Sequence, residues 1–373
     1  MKNITFPRLL LALSVICLII TVIIGATMDI SQAGPFFIGF FFLLSCAVRG
    51  FPLFKGLSFT ILILAVVTTA LYYPGLFIEF RGFELALLIT PLVQIIMFGM
   101  GSSMGVKDFI ELARRPRPVI IGVISQFTIM PLLGFILASI SNFTPEISVG
   151  VILLGCAPTS VTASLFSYLA KANVALAITI TSMTTLLAPF LLPPLMKLFA
   201  GGFIEINVWS MMWGMVQIVL LPIGVGLLFN RFLSGRARWL DAAMPLISMA
   251  GVALIVAIIM AAGRESLLHI GLLLLFVVLV LNVLGYFFGY WAGRLCKMNE
   301  RDCRTIAIAT GMQNAGLVSG IAKVMGKIAT VGLASAVCGP LMGFTSSVLA
   351  SYWSNKPVPE EMSIETEDKR ITV

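Results

Sequence analysis

Apolar residues run along the chain in stretches of about 18 to 25, each closed by a cluster of charge, proline or glycine. Wound as an α-helix, a run of that length matches the hydrocarbon thickness of a bilayer, so each predicts a membrane span. Twelve emerge, at about 9–27, 33–48, 56–77, 83–105, 118–140, 147–169, 174–200, 207–230, 242–262, 267–293, 304–326 and 328–353. The short apolar–polar alternation of a transmembrane β-barrel is not the pattern here. The first run follows Lys2 and Arg8 as a signal peptide would, but it is too long and lacks an A-x-A site, so it is expected to stay as a helix.

Composition agrees with the pattern. The 373 residues are 59% hydrophobic and 11% charged, with a mean hydropathy of +1.07, against roughly a quarter charged in a soluble domain. A water-soluble globule and a disordered chain are both excluded, which leaves an all-α polytopic membrane protein. The net charge of +8 is explained by where it falls. Nineteen of the 24 Lys and Arg collect on one side of the predicted topology: Lys2, Arg8, Arg49, Lys55, Lys107, Arg114, Arg115, Arg117, Lys171, Arg231, Arg236, Arg238, Arg294, Lys297, Arg301, Arg304, Lys356, Lys369 and Arg370. Arg81, Lys197, Arg264, Lys323 and Lys327 fall on the other. Basic loops mark the cytoplasmic side, so both termini are expected there, in a bacterial inner membrane, with the lipid bilayer rather than nucleic acid as partner.

Smaller features fit this frame. Tyr72, Tyr73, Trp209, Trp239, Trp291 and Trp353 at span ends suit an interfacial aromatic belt, and Gly285, Gly289 and Gly293 give the tenth span a small-residue packing face. Cys17, Cys46, Cys156, Cys296, Cys303 and Cys338 read as packing residues, and the single histidine, His269, leaves a histidine metal site short of ligands. No bound cofactor is expected. The polar tail 356–373 is expected to be disordered.

None of the sixteen Asp and Glu falls in the middle of a predicted span; Glu84 and Asp241 lie at edges. A carboxylate proton relay, paired-aspartate or metal hydrolysis and base-assisted nucleophilic catalysis all lack their residues, so no enzyme is expected. Mid-membrane polarity is instead uncharged, with Gly155, Pro158, Thr159, Ser160, Thr162, Ser164 and Ser167 in the sixth span and Thr310, Gly311, Gln313, Asn314, Gly316 and Ser319 in the eleventh. Pro158 removes a backbone donor, and Gly311 and Gly316 loosen their helix. Each segment is thus a candidate broken helix, whose half-helix N-termini attract anions and whose free carbonyls attract cations. A plainer role, bonding neighbouring helices, fits the same residues. Each segment is the fourth span of a block of five, 56–203 and 204–355, behind extra N-terminal helices in 1–55. Five being odd, the second block runs inverted, with Ala170-Lys171 and Ala322-Lys323 closing the two segments on opposite sides. Paired interrupted helices in matching positions point to a transporter site.

At these residues the chain resembles the bile acid:sodium symporter family, over about residues 56–353. The match is carried by Phe98-Gly99-Met100-Gly101, Asp108-Phe109, Arg114-Arg115-Pro116, Gln126-Phe127 with Met130-Pro131, Tyr168-Leu169-Ala170-Lys171 with Val174-Ala175-Leu176, Leu187-Ala188-Pro189, and Gly311-Met312-Gln313-Asn314. The resemblance implies a panel domain beside a core domain in which two broken helices cross, with sodium and an organic anion bound near the crossing. It places Gln126, Thr181, Gln313 and, through its backbone carbonyl, Met312 among cation ligands, and Asn314 beside the substrate cavity. Thr159, Ser160, Ser164 and Thr310 are the neighbouring polar residues assigned to the substrate.

The departures from the family pattern matter too. Similar proteins usually carry a glutamate, shared by two sodium sites, where this chain has Ala309, and Ala163, Ser164 and Ala177 stand at other ligand positions. Losing a formal negative charge in low dielectric weakens a sodium site. The expected function is secondary transport of an organic anion, bile acid-like or a small carboxylate, by alternating access, with sodium as coupling ion at a weakened site. The alternatives are a sodium-independent facilitator or exchanger and a non-transporting membrane sensor of the same fold. Cys156 keeps arsenite as a minor alternative cargo.

Overall fold

The computed structural model describes residues 5–27, 30–51, 57–104, 116–233 and 238–356. The basic cluster Lys107, Arg114 and Arg115, the Asp108-Phe109 pair, Arg236 and the tail from Pro357 onward lie outside the described residues, as do the side chains of Arg238, Trp239 and Asp241. Helices α1 (Thr5–Thr27), α2 (Gly34–Val48) and α3 (Ser58–Tyr72) come first. A short α4 (Gly75–Ile78) then leads into a two-stranded hairpin, β1 (Glu79–Phe80) and β2 (Phe83–Glu84). The third span was expected to run to 77; it ends at Tyr72, ahead of Pro74 and the hairpin. Arg81 and Gly82, at φ of 52° and 84°, give the hairpin the left-handed two-residue turn that matches strand twist.

The remaining helices are α5 (Ile89–Ser103), α6 (Pro116–Ile140), α7 (Pro145–Cys156), α8 (Ala163–Leu169), α9 (Val174–Ala200) and α10 (Val208–Met215). One π-helical stretch, Val216–Leu220, joins α10 to α11 (Leu221–Leu233), where Pro222 has no N–H to give the preceding turn. Then come α12 (Arg238–Ala262), α13 (Arg264–Leu295), α14 (Glu300–Gly311), α15 (Ala315–Val324) and α16 (Leu333–Ser354). Among the described residues, eight helical segments are long and apolar enough to cross a membrane by themselves. α2 and α3 are shorter apolar helices, and the pairs α7–α8 and α14–α15 fall on the sixth and eleventh expected spans. Apolar side chains such as Leu272, Leu295 and, along α1, Leu9, Ile19 and Val22 are exposed where lipid would cover them.

Between apolar helices in lipid, close packing replaces the hydrophobic effect as the holding force. The glycine face of α13 lies directly on α14: a Cβ added at Gly285 would stand 2.9 Å from the Gly311 Cα, one at Gly289 2.8 Å from the Thr310 Cβ, and one at Gly293 3.0 Å from the Cys303 Sγ. Gly101 of α5 and Gly226 of α11 bring those two helices together in the same way, each facing the other's backbone.

Two expectations need correction. Arg304, counted with the loop charges, lies in α14 and is 2% exposed. Its Nε donates to the Glu300 carboxylate at 2.9 Å, and one terminal nitrogen donates to the carbonyls of Ala170 at 3.2 Å and Trp353 at 3.1 Å. Helix C-termini carry unpaired carbonyls and partial negative charge, so the guanidinium closes the ends of α8 and α16 together. Trp353, expected in the interfacial belt, is buried against Arg304 and Tyr290, whereas Tyr73, Trp209 and Trp291 are exposed.

Two outcomes follow from this packing. Gly289→Leu should destabilise the detergent-purified protein by about 2 kcal/mol or more through overpacking against α14, whereas Gly271→Ala, facing only the Leu267 side chain, should leave the melting temperature nearly unchanged. Arg304→Met leaves the Ala170 and Trp353 carbonyls at the two helix ends without their donor and takes one partner from the partly buried Glu300, and should lower stability by about 2 kcal/mol in the same melt.

Candidate functional site

Both breaks begin with a local instruction. Pro158 has no N–H and drives the preceding residue out of the α region, so α7 stops at Cys156 and Ala157 turns extended (φ −67°, ψ 153°). α14 stops at Gly311, with Met312 extended at φ −97°, ψ 105°. The two extended pieces then pair with each other. Thr159 and Gln313 form an antiparallel bridge, the Ser160 N–H donates to the Met312 carbonyl at 2.8 Å, and the Asn314 N–H donates to the Pro158 carbonyl at 2.9 Å. Groups freed by the broken helices thereby find partners in each other.

Side chains from neighbouring helices finish the crossing. Gln126, on α6 and fully buried, donates through Nε2 to the Ala157 carbonyl at 2.6 Å and to the Gln313 Oε1 at 2.8 Å. Gln313 Nε2 donates to the Thr310 carbonyl at 2.7 Å. The Thr159 hydroxyl donates to the Ala309 carbonyl at 3.0 Å, and the Thr159 N–H reaches the Thr184 hydroxyl of α9 at 3.3 Å. Thr181, also on α9, donates to the Ser160 carbonyl at 3.5 Å. Asn314 caps α15, its Oδ1 accepting from the Leu317 N–H at 3.0 Å. None of these partners bears a formal charge.

Two buried polar atoms at the crossing have no partner, Gln126 Oε1 and Asn314 Nδ2, and nor does Thr310 Oγ1, whose side chain packs toward Gly289 of α13. Gln126 Oε1 only accepts and suits a cation; Asn314 Nδ2 only donates, at the N-terminus of a ten-residue helix, and suits an anion; the Thr310 hydroxyl can do either. The Met312 carbonyl already accepts one hydrogen bond and keeps a second lone pair.

Eight of the nine residues singled out from sequence are therefore joined by hydrogen bonds or chain adjacency at the crossing. The ninth, Ser164, is half-buried in the first turn of α8 and bonds only its own turn, donating to the Val161 carbonyl at 3.0 Å. Sequence reading also missed a residue. Asn282 of α13, buried, donates to the Gly311 carbonyl at 2.7 Å and accepts from the Thr345 hydroxyl at 2.5 Å, fixing the last carbonyl before the second break. Its signal was there: a single amide within a long apolar run. A crevice of about 380 Å³ between α6 and α13, lined by residues such as Leu137, Ser141 and Phe276, contains none of the crossing residues.

Comparison with known proteins bears on the same region. The Sodium Bile acid symporter family profile matches residues 90–270. The chain is 38% identical over 310 residues to the uncharacterized sodium-dependent transporter YocS of Bacillus subtilis (strain 168), covering 83% of this chain and 94% of that protein. It is 30% identical over 310 residues to the probable sodium/metabolite cotransporter BASS1, chloroplastic, of Oryza sativa subsp. japonica, covering 81% of this chain and 73% of that protein. The Arabidopsis thaliana protein of the same name is 28% identical over 273 residues, covering 72% and 67%. With a multi-pass helical fold around two crossed breaks and relatives matched over most of their length, this chain belongs to the sodium bile acid symporter family, whose members are transporters and not enzymes.

Proposed function

We propose that the crossing is the site at which this chain carries a small organic anion together with sodium, by alternating access. One observation carries the reading: a buried, uncharged crossing leaves one acceptor oxygen, Gln126 Oε1, and one amide donor, Asn314 Nδ2, unpartnered at the point where two half-helices meet. Gln126, Gln313, Thr181 and the Met312 carbonyl serve the cation; Asn314, Thr159 and Ser160 face the anion, with Thr310 and Ser164 at the edge. The relatives' printed names, sodium-dependent transporter and sodium/metabolite cotransporter, favour the same pairing of ion and small molecule. On this reading residues 56–203 and 204–355 are two inverted repeats and the basic loops hold both termini in the cytoplasm of a bacterial inner membrane.

Ala309 favours a second reading, a sodium-independent carrier. Where a carboxylate would add its charge, this chain offers a methyl group, and the Ala309 carbonyl is already bonded to Thr159. A sodium ion held by neutral oxygens alone gives up a large Coulomb term in low dielectric.

Thermal unfolding of purified protein, titrated with sodium against potassium at constant ionic strength, separates the two. Occupancy at a hundred times the dissociation constant adds about 2.7 kcal/mol, so a saturable sodium-selective rise is expected, lost in Gln126→Leu and Gln313→Leu. Equal melting in both salts would overturn sodium coupling and leave the uncoupled carrier. In proteoliposomes, Asn314→Ala should reduce uptake of organic anions at least tenfold with the fold intact; wild-type flux that is zero for every anion tried would remove the transporter reading of the crossing.

A further inference from the structure

The two broken segments end alike. After α8, Lys171 takes a left-handed φ of 54°, its N–H bonding the Tyr168 carbonyl while the Ala172 N–H bonds that of Ser167 at 2.8 Å. After α15, Gly326 takes φ of 69°, its N–H bonding the Lys323 carbonyl while the Lys327 N–H bonds that of Ala322 at 2.9 Å. This is one helix-ending turn used twice, and it aims each following loop at the start of the other broken helix.

A carboxylate waits in each case. Glu146, in the first turn of α7, pairs with the Lys327 ammonium and accepts from the Thr330 hydroxyl at 2.6 Å. Asp302, in the first turn of α14, accepts from Asn173 Nδ2 at 2.8 Å, and beside it the Thr305 hydroxyl is bonded to both the N–H and the carbonyl of Asn173, at 2.9 and 3.0 Å. The backbone fits closely here too: a Cβ at Gly150 would stand 2.5 Å from the Val331 carbonyl oxygen. Both carboxylates also sit at the positive end of their own helix dipole.

We propose that Glu146 with Lys327 and Thr330, and Asp302 with Asn173 and Thr305, are positioning groups for transport. Each ties the first turn of one broken helix to the loop closing the other, and together they hold the four helix halves as one body, so that the crossing keeps its register while the cargo passes. The role in transport rests on the crossing being the transport site; the ties themselves do not.

A natural thiol reports on them. Cys156 is fully buried as the last residue of α7, and Cys303 is fully buried on α14 toward the other end. N-ethylmaleimide labelling of the full-length protein, read peptide by peptide, should show Cys156 reacting about fivefold faster in Glu146→Ala, the effect of losing one partly exposed tie on local opening, with Cys303 unchanged. Adding Lys327→Ala should change little more, because both substitutions remove one tie. Asn173→Ala, loosening the other end, should also speed Cys156 labelling, with buried Cys338 as its reference, and it serves where Glu146→Ala does not fold. Unchanged Cys156 labelling in either folded variant, full additivity of the pair, or equal acceleration of Cys156 and its reference would overturn the positioning role. The labelling needs neither sodium nor substrate, so its failure is distinct from a failure of uptake.

Discussion

A backbone N–H or carbonyl left bare in hydrocarbon costs several kcal/mol, and the way this chain meets that constraint at two interrupted helices organises the rest of it. Residues 157–160 and 312–314 have no helix to satisfy them, so they satisfy one another as two short extended pieces. That pairing forces the breaks to coincide and brings half-helix ends from both to one place. Everything nearby serves the same need: Gln126 takes the Ala157 carbonyl, Gln313 that of Thr310, Thr159 that of Ala309 and Asn282 that of Gly311.

Charge is arranged around this centre and not within it. The ionised groups that hold the broken helices sit at their outer turns, where Glu146 meets Lys327 and Glu300 meets Arg304. The crossing keeps amides and hydroxyls, which satisfy one another without the desolvation penalty of a permanent buried charge. A binding site must hold its cargo and also release it. On the proposed transport reading, a crossing without a carboxylate shifts that balance toward weak holding, with the Ala309 methyl group standing where a charge would add to it.

The membrane class and the positions of the long apolar helices are legible in the sequence, because a run of apolar residues as long as a bilayer is thick has few other uses. The sequence also determined where the helices break, since Pro158 and Gly311 act on their own backbone, and that the small face of α13 packs closely. It missed the hairpin after α3, whose turn depends on two residues adopting positive φ, and it misjudged Arg304 and Trp353, because charge and aromaticity near a span end look the same whether a side chain turns outward or inward. Which groups share the crossing is settled by how the helices pack. Gln126 and Gln313 are 187 positions apart, and Asn282 reads as one amide among apolar neighbours until α13 is laid against Gly311. Local backbone chemistry is written in adjacent residues and can be read from them, whereas the identity of a hydrogen-bond partner across the fold is fixed only when the helices are packed.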